Sequence, residues 1–72
     1  MDTKDKDVRT YALRLQGHID ADFVASFCPD GTTMTHEGDN TLLANIQTDQ
    51  SGILGLVRHL HNLGCTILTL RA

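Results

Sequence analysis

The chain has 72 residues, 40% hydrophobic and 4% aromatic, with 6 Lys plus Arg against 9 Asp plus Glu for a formal charge of −3. That length holds one domain and excludes a two-lobed enzyme, a TIM barrel or a doubly wound nucleotide fold. The acidic balance, with no cluster of Lys or Arg among aromatics, excludes a nucleic-acid footprint, and no apolar run approaches the ~20 residues that span a bilayer.

Residues 1–8 alternate acid and base and carry no apolar signal segment. They read as a disordered lead-in to a single domain over residues 9–72, with a cytoplasmic location expected. From Thr10 to Ile19 the pattern alternates: Tyr11, Leu13, Leu15 and Ile19 point one way, and Ala12, Arg14, Gln16 and His18 the other. A period of two predicts a half-buried strand, and Gly17 marks a bulge or a close backbone approach within it. Asp20 or Asp22 is expected to cap a short helix through its carboxylate. Phe23 and Phe27, spaced i, i+4, form the apolar side of that helix with Val24 and Cys28, and Pro29-Asp30-Gly31 stops it.

Thr32 to Glu37 and Thr41 to Thr48 predict two strands joined at Gly38-Asp39-Asn40, a connection short enough for an antiparallel hairpin. Asp49 or Ser51 then caps a second helix, in which Ile53, Leu56, Val57, Leu60 and Leu63 fall on one stripe. Gly64 ends it, and Cys65 to Arg71 is a last strand.

The order β-α-β-β-α-β predicts an α+β fold: a ferredoxin-like sandwich with a four-stranded antiparallel sheet and two helices on one face. Right-handed crossovers put the first and third strands in the centre. The open side of the sheet is expected to carry Ala12, Arg14, Gln16 and His18, then Leu43, Asn45 and Gln47, then Leu68 and Leu70, with Ile67 under the second helix. Leu54 and Gly55 lie off the apolar stripe of that helix. A domain this small buries only ~60% of its unfolded surface and usually needs a disulfide, a metal or a partner subunit.

The first two are poorly supplied. Cys28 and Cys65 read as reduced, buried thiols. His59 and His61, two apart on a helix, point ~200° from one another, and His18 and His36 lie on strands with no reason to be neighbours. Asp20, Asp22 and Asp39 read as caps and turn residues. No catalytic residue, metal ligand or cofactor is therefore expected. Subunit association remains, with Ala12, Leu43, Leu54, Gly55, Leu68 and Leu70 as the expected interface. One further place suits a ligand. Asp49 opens a helix N-terminus, where free N–H groups and the helix dipole gather, and Gly52 allows close approach; Asp49, Ser51 and Gly52 are the expected ligand-binding residues.

The stretch Asp49-Gln50-Ser51-Gly52-Ile53-Leu54 through Leu63-Gly64-Cys65-Thr66-Ile67-Leu68 resembles the helix motif of ACT domains. ACT domains share the predicted fold and bind amino acids or similar effectors at subunit interfaces. The resemblance implies that Asp49 and Gly52 line such a site. Gly17-His18-Ile19-Asp20, the hairpin from Thr35 to Thr41, and Asp49-Gln50-Ser51 with Leu54-Gly55-Leu56 resemble a group of short, stand-alone bacterial proteins of unassigned function. The function expected is a small, non-catalytic regulatory or protein-interaction module that forms a homodimer. The alternatives are an ACT-like sensor with its effector at the Asp49–Gly52 helix start, and a metal carrier or small enzyme using His18, His36 or the cysteines.

Overall fold

The computed structural model describes residues 8–72, so all but Val8 of the expected lead-in lies outside the described residues. Six elements follow in the expected order: β1 (Arg9–Gln16), α1 (Ala21–Phe27), β2 (Thr33–Glu37), β3 (Asn40–Thr48), α2 (Gln50–Asn62) and β4 (Thr66–Arg71). The four strands form one antiparallel sheet in the order β2-β3-β1-β4, with the first and third strands inside. The fold is α+β.

Leu13 and Leu15 of β1, Leu43 and Ile46 of β3, and Ile53, Leu56 and Leu60 of α2 make a single buried cluster, against which Phe23 and Val24 of α1 also pack. Both helices therefore serve one core on one face of the sheet. Leu63 does not join it. The helix ends at Asn62, so Leu63 becomes the C-cap and is 63% exposed.

The α1 start departs from expectation. Asp20 takes the N-cap position, but its carboxylate makes no capping hydrogen bond; its backbone oxygen accepts from the Phe23 N–H at 3.1 Å. Asp22 lies in the first turn, where its charge suits the helix dipole.

The largest correction concerns which side β3 presents. The expected alternation put Leu43 on the open face, yet Leu43 is fully buried in the core. The cause is a bulge. Tyr11 pairs with Ile46 and Leu13 with Leu43, so two steps along β1 match three along β3. Asn45 absorbs the extra residue in a left-handed conformation (φ 57°), and its Nδ2 donates to the Gly31 carbonyl at 2.9 Å. Thr41, Leu43 and Ile46 consequently all face the helices. Leu42, in register with Arg14 and Thr35, takes the open-face place expected of Leu43.

A second register shift occurs in β4, where Arg14 pairs with Thr69 and Leu15 with Ile67, leaving Leu68 as the extra residue. Ile67 packs against the core, as expected. Leu70 does not lie on the open face as expected: it pairs with Leu13 and shares the helix side, because the shift reverses the alternation beyond Leu68. Across the open face, Arg14 Nε reaches Glu37 Oε1 at 3.1 Å, an exposed pair that contributes at most ~1 kcal/mol.

Candidate functional site

Gly17 leaves β1 with φ 90°, a conformation that glycine adopts at little cost. The turn brings the chain onto the β2–β3 hairpin. Gly17 donates its N–H to the Asp39 carbonyl at 2.7 Å, and its own carbonyl accepts from the buried Thr41 hydroxyl at 2.7 Å. His18, expected on the open face, is carried to the helix side instead. Its ring stacks on His36 with centroids 4.2 Å apart and planes 12° from parallel, and its Nε2 lies 2.8 Å from the Gly38 carbonyl.

The two histidines, 18 residues apart in sequence, are thus in contact. Stacked rings keep their nitrogen lone pairs in two separate, nearly parallel planes. Both rings must turn before they converge on one metal ion. Among the described residues, no group of three or more His, Cys, Asp or Glu side chains is placed to hold a metal.

At the start of α2, Asp49 is the N-cap, and its carboxylate accepts the Gly52 N–H at 2.8 Å. Its backbone carbonyl accepts from Ile53 at 3.0 Å. Gly52 is needed for a neighbour within the chain: a Cβ there would collide with the Thr48 hydroxyl. The close approach read from sequence is therefore made by Thr48. Ser51 is exposed beside this cap.

The expected interface residues are dispersed. Leu43 is buried, Ala12 is half-buried, and Leu54, Leu68 and Leu70 are exposed. Gly55 faces open space. Where α2 ends and β4 begins, His61, Gly64, Cys65, Thr66 and Ile67 line an open hollow of about 460 Å³. Both cysteines are free and half-buried, and burial pushes the Cys28 thiol above its ordinary value of 9.0. On the other side of α2, His59 meets Phe27 with ring centroids 4.7 Å apart, and Phe27 meets Phe23 at 4.8 Å.

These features define a small α+β domain whose apolar residues are divided between a thin core and an exposed surface. The chain belongs to the family described as Domain of unknown function (DUF8691), whose model matches residues 10–71. No curated protein and no solved structure matches the chain.

Proposed function

We propose that this protein is a small non-catalytic interaction module of regulatory type that self-associates as a homodimer. One observation carries the reading. Val8, Phe27, Leu54, Leu63, Leu68 and Leu70 are exposed large apolar residues, set against seven buried hydrophobic residues in the core. Single exposed leucines are ordinary, but this proportion in so small a domain favours a covered surface. A ferredoxin-like sandwich is the architecture we assign; the strand order, read as β4-β1-β3-β2, supports it. Two free cysteines support a reducing, cytoplasmic setting.

Sedimentation velocity and native mass spectrometry test the reading. The expected species at micromolar concentration has twice the 7.9 kDa chain mass. A monomer at every accessible concentration would remove the proposal.

A further inference from the structure

Asp30 precedes Gly31, and no other aspartate or asparagine of the chain precedes a glycine. The pair forms the middle of the turn that joins α1 to β2. Thr32 closes this turn on the Pro29 carbonyl twice, through its N–H at 3.2 Å and its hydroxyl at 2.8 Å. With Gly31 at φ 89°, the turn is of type II. Asp30 and Gly31 are both exposed. Among the described residues, neither the Asp30 carboxyl group nor the Gly31 N–H has a hydrogen-bond partner. Two groups able to react with each other are therefore adjacent, solvated and unheld.

The Gly31 carbonyl, by contrast, is engaged. It accepts from Asn45 Nδ2 at 2.9 Å, and Asn45 is the left-handed residue at which β3 bulges.

We infer that Asp30-Gly31 is a site of spontaneous backbone modification, from aspartate to isoaspartate, and that conversion there releases Asn45 and loosens the β3 bulge. The Gly31 nitrogen gives up its proton and attacks the Asp30 carboxyl carbon. A C–N bond forms, a C–O bond breaks and one water leaves, closing a five-membered succinimide. Water then adds to one of the two ring carbonyls. Opening at the side-chain carbonyl restores aspartate. Opening at the backbone carbonyl leaves the peptide running through Cβ and frees the α-carboxylate. The product is an isomer of the same mass, and no oxidant or cofactor takes part. Glycine permits the swing of the peptide plane that the ring requires, because it has no Cβ to obstruct it.

The other described aspartates lack this combination. The amide after Asp22 donates to the Asp20 carbonyl, and the Asp49 carboxylate already accepts from Gly52. Asp20 and Asp39 precede Ala21 and Asn40, whose side chains crowd the attack. Isoaspartate at position 30 adds a backbone atom to a tightly closed turn. The Gly31 carbonyl is then carried off Asn45 Nδ2.

The test ages the whole protein at neutral pH, folded and in urea, and locates isoaspartate by electron-transfer fragmentation. In the folded protein, isoaspartate accumulates at residue 30 several-fold faster than at Asp20, Asp22, Asp39 or Asp49. It is lost in Asp30→Glu, whose side chain would have to close a larger ring. The purified isoaspartyl form exchanges the amides of Asn45 and Ile46 faster than the unaged protein and melts at a lower temperature. A residue 30 that converts in urea but stays intact in the folded chain overturns the site, because the turn then protects it. Absence of conversion in both states also overturns it. Conversion that leaves exchange at Asn45 and Ile46 unchanged overturns the link to the bulge.

Discussion

His18 lies nearly flat on His36, the two rings joining the end of β1 to the tip of the hairpin 20 residues further along the chain, where the Gly38 carbonyl accepts from His18 Nε2. Stacked aromatic pairs contribute ~0.5–1.5 kcal/mol beyond their burial, and a hydrogen bond about 1 kcal/mol more. His18→Ala is therefore expected to destabilise the domain by about 1.5–2.5 kcal/mol, and His36→Ala, which loses only the stack, by about 0.5–1.5 kcal/mol. Urea unfolding of the two single variants and the double variant measures this. Strictly additive losses would show that the rings do not support each other.

Two glycines in α2 predict opposite responses to alanine. At Gly52 a methyl group meets the Thr48 hydroxyl, and Gly52→Ala should cost about 1–3 kcal/mol. Thr48→Ala in the same chain should recover most of that loss. At Gly55 the methyl meets open space, and Gly55→Ala should gain up to ~1 kcal/mol from helix propensity. Thermal melts rank all four proteins, and a Gly52→Ala variant as stable as wild type would contradict the geometry.

Asp49→Ala removes the side chain that accepts the Gly52 N–H, with an expected loss of about 1 kcal/mol. Asp49→Ser should keep most of the cap. Equal stability of the alanine and serine variants in denaturant titrations would separate Asp49 from capping.

Because burial raises the Cys28 pKa, the folded protein holds that proton more tightly than the unfolded chain does. The resulting contribution to stability is complete below the unfolded value of 9.0 and is lost as pH rises through the higher folded value. Melting temperature should therefore fall more steeply above pH 9.0 in wild type than in Cys28→Ala. Indistinguishable alkaline slopes would argue against that linkage.

The six elements and their order were legible because each rests on a local cue: alternation in β1, the stripe Ile53-Leu56-Leu60 in α2, the Gly38-Asp39 turn, and Asp49 ahead of the second helix. The faces of the sheet were not. Leu42 and Leu43 are adjacent and both apolar, so hydrophobicity alone gives no preference between them. The decision belongs to Asn45, and asparagine in a strand is only a weak bulge signal. The histidine pair escaped for a related reason. By pattern alone His18 continues the β1 alternation, whereas Gly17 ends it and redirects the chain to the hairpin. A glycine after a clean alternating run was the available cue; the place where the redirected chain lands depends on strand order.

The left-handed Asn45 also leaves a mark on which changes β3 can accept. Scanning each position from 40 to 48 with charged residues should give sharp intolerance at 41, 43 and 46, the three fully buried positions of that strand. The interval lengthens from two to three at the bulge. Sequence variants in this family should then divide into two groups along β3, obeying odd numbering before Asn45 and even numbering after it. Deleting Asn45 would restore a single parity and leave Ile46 in step with Thr41 and Leu43, at the expense of the hydrogen bond to the Gly31 carbonyl.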